Sequence, residues 1–275
     1  MSFSPAAIVA PVCVCAIRGA AVVTARLTEI PLLARQPAVL GAPRLPARFL
    51  RHADEQTIVG LHAVLRVLGT GDFAQRRDLT CDAVVAASCR AGQLTAARTM
   101  VGLEQQGTVG VTPHVVPQCS LHSLASAVSV ALGMHGPNIG VAGGPAAINE
   151  GLMAAASLAM TLVTPASIWL IVTGWDDDPC LDDESAPQTD PTCRSLALCL
   201  QGFPHGNRLP RETPHLVMTQ NPSQATADCL FWEHCERLTQ GRATTVDCGR
   251  GLHAALQPGI NGFGAQPPSS RREAA

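Results

Sequence analysis

The sequence predicts an α/β fold in which helices cover a mixed β-sheet in layers. Three observations lead there. Strand-length apolar runs alternate with segments of helical period from Ala7 to Gly174. With 47% of the 275 residues hydrophobic and 15% charged, the chain can bury a sizeable core. The clearest strand candidate, Ser167 to Thr173 (SIWLIVT), is apolar almost throughout, as a strand covered on both faces must be.

In chain order, Ala7 to Ile17 (AIVAPVCVCAI) reads as a strand interrupted at Pro11 and bounded by Gly19. Pro31 to Pro46 is rich in Pro and Arg without a period and reads as a loop. His52 to Leu68 repeats Ile58, Leu61, Val64, Leu65 and Leu68 at helical spacing behind Asp54 and Glu55, and predicts a helix. Asp82 to Ser88 reads as a buried strand and Leu94 to Gln105 as a helix. Leu121 to Leu132 is a helix of small and apolar residues that ends at Gly133, Asn138 to Ala142 a strand, and Ala146 to Leu162 a helix rich in Ala, Leu and Met. After Gly174 the texture changes. Trp175 to Thr192 gathers Asp176, Asp177, Asp178, Asp182, Asp183 and Glu184 with three prolines, and predicts a polar surface excursion. Leu196 to Leu200 and His215 to Thr219 are further strand candidates, and Ala225 to Leu238 a last helix. The chain is expected to form one domain over 1–265, with 266–275 a disordered tail.

The composition removes several functions. There is no Lys and no Tyr, so Schiff-base chemistry, Lys-activated nucleophiles and a phosphate-loop lysine are excluded. A formal net charge of -2 leaves no basic footprint, so neither nucleic acid nor a membrane surface is an expected partner. Eleven Cys, an odd number without a C-x-x-C frame, point to reduced thiols and a cytoplasmic protein. The apolar run near the N-terminus has no basic residue before it, and reads as a strand in preference to a secretory signal. Neither Cys229, His234 and Cys235 nor Cys199 and His205 has zinc-ligand spacing, so no metal and no other cofactor is expected. Gly136 to Gly151 precedes a helix as an anion-cradling loop does, yet has no G-x-G-x-x-G or Walker spacing.

Four segments then fall in a telling order: Thr112-Pro-His-Val-Val-Pro117, the small-residue helix, Gly133-Met-His-Gly-Pro137 and Val141-Ala-Gly-Gly-Pro145, followed by Val172-Thr-Gly-Trp-Asp176. From Arg48 to Asp176 this resembles the N-terminal half of a β-ketoacyl synthase. The resemblance implies a thiolase-like fold, with a C-terminal half that the remaining length makes severely abbreviated or absent. In that family a cysteine thiolate stands at the start of the buried helix, where helix dipole and free amides lower its pKa and hold the thioester oxyanion. Counted from Gly136-Pro137, that position falls on Pro145, so Gly143, Gly144 and Pro145 form a degenerate nucleophile elbow. Proline offers neither a nucleophile nor a backbone amide. The family's histidine pair has no counterpart: His205-Gly206 is followed by Asn207-Arg208, and His215 and His234 have no glycine frame. Asn261-Gly-Phe-Gly264 is similar to the turn that ends the family's second half.

The resemblance therefore implies a protein of fatty acid or polyketide-type biosynthesis that lacks condensing activity. It would act like a chain length factor, as partner of an active synthase subunit, with acyl carrier protein a further partner. Hetero- or homodimerisation is expected through Val141, Ala142, Ile148 and Leu152. The alternative is an acyltransferase or decarboxylase with an altered site, acting on carrier-protein thioesters.

Overall fold

The computed structural model describes residues 11–35, 39–46, 49–70, 73, 78–141, 144–162, 166–182, 186–203, 212–221 and 229–259. Strand β1 is described over Pro11–Arg26, the expected residues 7–10 lying outside the described residues, and it runs through Gly19, where the sequence suggested a stop. Its register against the neighbouring strand shifts between Ile17 and Gly19, a bulge that absorbs the irregularity. A side chain at position 19 would stand 2.5 Å from Val67 Cγ1 and 2.8 Å from Phe73 Cε2. Glycine is there so that a helix can pack closely, and the strand continues past it.

The expected loop after β1 contains a short helix, α1 (Ile30–Arg35), anchored by the buried Ile30. Helix α2 (Glu55–Leu68) begins where Asp54 accepts hydrogen bonds from the Thr57 N–H (2.9 Å) and hydroxyl (2.7 Å). Ser123 donates a third to the same carboxylate at 3.1 Å. Every residue of α2 except Glu55 and Arg66 is buried, so this helix is enclosed beyond what its amphipathic pattern required. Strand β2 (Ala83–Ser88), helix α3 (Gln93–Gln106) and a four-residue turn of helix, α4 (Val115–Gln118), come next. Helix α5 (Ser123–Leu132) closes at Gly133 in the left-handed conformation (φ 65°), whose N–H returns to the Ser129 carbonyl. Strand β3 (Asn138–Val141), helix α6 (Ala147–Thr161) and strand β4 (Ile168–Trp175) complete the alternating region.

Beyond the polar excursion, β5 (Thr192–Gly202) is longer than its apolar centre suggested, and β6 (His215–Gln220) follows. Helix α7 is described over Phe231–Thr239; the expected helical residues 225–228 lie outside the described residues, as do the Gly-Phe-Gly segment and the tail. Two strands absent from the sequence reading, β7 (Thr244–Gly249) and β8 (Leu252–Gln257), form a hairpin. Its turn takes positive φ at Gly249, Arg250 and Gly251 in succession.

All eight strands lie in one mixed sheet of order β3-β2-β4-β5-β1-β6-β8-β7. β3, β2 and β4 are parallel, while β5 runs antiparallel between β4 and β1. β6, β8 and β7 extend the sheet antiparallel beyond β1. Helices α2 and α5 cover one face; α6 and α7 cover the other. At the amino ends of β2 and β4 the buried Asp82 carboxylate accepts the Ser167 N–H (3.0 Å) and the indole N–H of Trp169 (2.9 Å). That pairing sets the two central strands in register.

Burial pushes the Asp54 carboxyl above the usual carboxylate range, against the hydrogen bonds from Thr57 and Ser123 that pull it down. A carboxyl with a raised folded-state pKa holds its proton more firmly folded than unfolded. Its contribution therefore falls as pH rises from the ordinary Asp range through the raised folded value. Asp54→Asn keeps a capping oxygen and removes this titration. In urea unfolding from pH 3.5 to 7, the stability of Asp54→Asn relative to the parent should rise across that window and then level off. A difference that stays flat with pH would contradict the assignment.

Candidate functional site

The carboxyl ends of parallel strands are where an open α/β sheet gathers ligands, because loops and helix starts converge there. In this chain β2, β4, α6 and α7 meet at such an end around a cavity of 290 Å³. Its lining is Cys89 and Arg90 after β2, Pro145 before α6, Trp175 at the end of β4 with Asp176, Asp177 and Asp178 behind it, and Trp232 of α7.

Buried hydroxyl and amide groups beneath the cavity hold the strand ends. The Thr173 hydroxyl lies 2.9 Å from Ser88 Oγ and 3.3 Å from Gln56 Oε1, and the Gln56 amide donates to the Cys89 carbonyl at 2.7 Å. β2, β4 and α2 are thereby tied at one point. Arg90, at φ 57°, turns the chain out of β2 and forms an ion pair with Asp178 across the rim. Both partners are about half exposed, so this pair contributes on the order of 0.2–1 kcal/mol. Asp176 serves the backbone, because its carboxylate accepts the N–H of Asp177 at 2.9 Å and of Thr192 at 2.6 Å and so closes both ends of the excursion.

Pro145 lies exposed at the start of α6, and Gly144 is half-buried with open space where a side chain would project. Gly143 and Ala142 lie outside the described residues. Part of the first turn of α6 is already committed to the chain itself. Pro145 has no N–H, the Ala147 N–H donates to the Gly144 carbonyl at 3.1 Å, and those of Asn149 and Glu150 donate to the Ala146 carbonyl. Of the residues expected at a dimer surface, Val141 is half-buried on edge strand β3, while Ile148 and Leu152 are packed into the chain's own core against the sheet. What α6 turns outward nearby is Asn149, Glu150 and Met153, each half-buried.

Sequence spacing did not single out Cys89, yet it stands in the same cavity as Pro145. Burial pushes its thiol up, and the adjacent Arg90 guanidinium only partly opposes this, so at neutral pH it is a thiol and not a thiolate. Among the described residues no histidine lines the cavity: His234 is buried with Nδ1 2.7 Å from the Thr244 hydroxyl and His215 pairs with the Thr213 carbonyl, while His205 lies outside those residues. All eleven cysteines are free, and among the described residues no three metal-ligating side chains cluster. Among those residues no helix is long and apolar enough to cross a membrane.

No protein-family model matches the sequence, and neither does any curated protein. Solved structures are similar in fold. A chain of the ketosynthase and chain length factor complex from Xenorhabdus doucetiae superposes with a TM-score of 0.52 at 14% identity, over 88% of this chain and 98% of that one. A β-ketoacyl synthase from Burkholderia phymatum gives 0.50 at 13% identity, over 83% of this chain and 68% of that one. A chain from a complex of a type II polyketide synthase acyl-carrier protein with its hexaketide-bound ketosynthase gives 0.51 at 14%, over 83% and 73%. The chain has the thiolase-like α/β fold that these ketosynthase structures share.

Removing the guanidinium beside Cys89 should raise its thiol pKa further. In Arg90→Ala, alkylation of Cys89 by iodoacetamide at pH 8, followed by peptide mass mapping, is expected to be several-fold slower than in the parent, and unchanged at Cys81. Equal rates at Cys89 would show that Arg90 does not act on it.

Proposed function

We propose that this chain is a non-condensing, chain-length-factor-like partner of an active β-ketoacyl synthase in fatty acid or polyketide-type biosynthesis. The observation that carries the reading is the start of α6. There Pro145 takes the position that the resemblance assigns to the nucleophile, and the neighbouring amides of Ala147, Asn149 and Glu150 are spent on the helix's own turn. Among the described residues no histidine lines the cavity beside it, and the Cys89 thiol there is held protonated by burial. A proline at the nucleophile position, with no histidine and no thiolate beside it among the described residues, supports a chain that does not condense thioesters.

The partner surface in this reading is the open edge of β3 with the flank of α6 beside it. Among the described residues β3 ends the sheet, with no strand on the other side of its backbone ladder, and Val141 stands on it. A second sheet edge, from the synthase subunit, satisfies those groups and continues the sheet across the pair. The similar structures include a ketosynthase held with its chain length factor and a ketosynthase held with an acyl-carrier protein.

Co-expression with an active β-ketoacyl synthase from the same organism should give a stable complex on size exclusion. Val141→Lys, which sets a charge on the edge, should release the synthase while the circular dichroism of the isolated chain stays unchanged. A parent chain that only ever elutes alone would sink the proposal. Pro145→Cys should restore no condensation with acyl and malonyl carrier protein, because among the described residues no histidine stands at the cavity; recovered condensation would show that the site needs only its nucleophile. Release of acetyl carrier protein from malonyl carrier protein by the parent chain would replace this reading with that of an altered decarboxylase.

A further inference from the structure

A second cavity, of 660 Å³, opens between α1 and the start of α2, beside the turn that follows β1. That volume falls in the range of small-molecule sites. It shares no lining residue with the Pro145 cavity, so what it binds does not depend on the function proposed above. Its walls are Leu27, Ile30, Pro31, Ala34, Leu50 and Ile58. Leu27, Ile30, Leu50 and Ile58 are themselves buried, so these walls are built by the folded chain before any ligand arrives.

The polar part of the lining is dominated by Arg. Arg35, Arg51 and Arg98 line the cavity with a single carboxylate, Glu55, which is engaged by Arg98. Arg35 and Arg51 pair with no acidic side chain among the described residues. Three guanidiniums against one carboxylate leave the lining net cationic in a chain whose formal net charge is -2. Local charge opposite to the overall balance, set over an apolar floor, suits a ligand that is anionic at one end and apolar along its body. Guanidinium presents paired N–H groups to a carboxylate in a matching fork, and stays charged at any physiological pH.

We propose that this cavity binds a small carboxylic acid with an alkyl body, its carboxylate held by Arg35 and Arg51 and its chain laid against Leu27, Ile30, Leu50 and Ile58. The place in the fold agrees with this. β1 runs parallel to β4, and Leu27 and Thr28 directly follow its carboxyl end, where α/β sheets present their loops.

Titration calorimetry with hexanoate, octanoate and decanoate below their micelle thresholds tests it. One-to-one binding should tighten about fourfold for each methylene added. Decanol, which has no charge, and decyltrimethylammonium, which has the wrong one, should each bind at least about tenfold more weakly than decanoate. The double variant Arg35→Gln with Arg51→Gln changes two exposed side chains. It should weaken decanoate about tenfold and leave decanol unchanged. Ala34→Trp, which fills the cavity from its α1 wall, should abolish binding of both while its circular dichroism matches the parent. The proposal is overturned if the parent shows no saturable decanoate binding, if decanol matches decanoate, or if either variant binds decanoate as the parent does.

Discussion

The close seating of α6 on the sheet is the constraint on which the rest of the molecule depends. This helix lies across β2 and β4 because its inner face is made of Ala147, Gly151, Ala155 and Ala156, with Ile148 and Leu152 filling between them. At Gly151 a Cβ would stand 2.8 Å from that of Ala87 and 3.0 Å from Leu170 Cδ1, so even alanine forces the layers apart. A helix held this near has its first turn delivered to the carboxyl ends of the central strands. Pro145, Cys89 and Trp175 share one cavity for that reason. The same closeness accounts for the burial of Ile148 and Leu152, whose apolar surface is spent on the chain's own core.

The alternating part of the fold was legible because its signals are local and strong. Asp54 as a cap, helical spacing from Ile58 to Leu68, Gly133 as a stop and the apolar run through Trp169 each state an element within a dozen residues. The misreadings come from contacts distant in sequence. Gly19 looked like a boundary since its neighbours, Val67 and Phe73, approach only in the folded chain. Helix α1 is too short to show a period and is held by one buried side chain, Ile30. The β7–β8 hairpin has alternation, with Thr244, Val246 and Cys248 inward, but polar residues between them and a Gly-Arg-Gly turn gave it the look of a loop.

The candidate site was half legible. Counting from Gly136-Pro137 led to Pro145 and the start of α6, since the strand and helix concerned are consecutive. Cys89 and Trp232 could not be found that way, for they come to the cavity from the ends of other elements, one 56 residues before Pro145 and the other 87 after it. The second cavity was less accessible still. Arg35, Arg51 and Arg98 belong to three separate segments, and nothing in the spacing of arginines in an Arg-rich chain marks them as neighbours.

Asp176 ties the two ends of the acidic excursion together, and the hydrogen bonds between Asp176 and Thr192 hold that closure whatever lies between them. Between those ends the excursion touches the body of the chain through Asp178, paired with Arg90, and through Asp190, which accepts the N–H and hydroxyl of Thr28. Chain-closure entropy grows only logarithmically with length, so each doubling of such a loop costs about 0.6 kcal/mol. The stretch between Asp178 and Pro187 is therefore where a change of length costs this chain least while β4 and β5 stay paired. Its length and charge are free to follow whatever meets that side of the molecule.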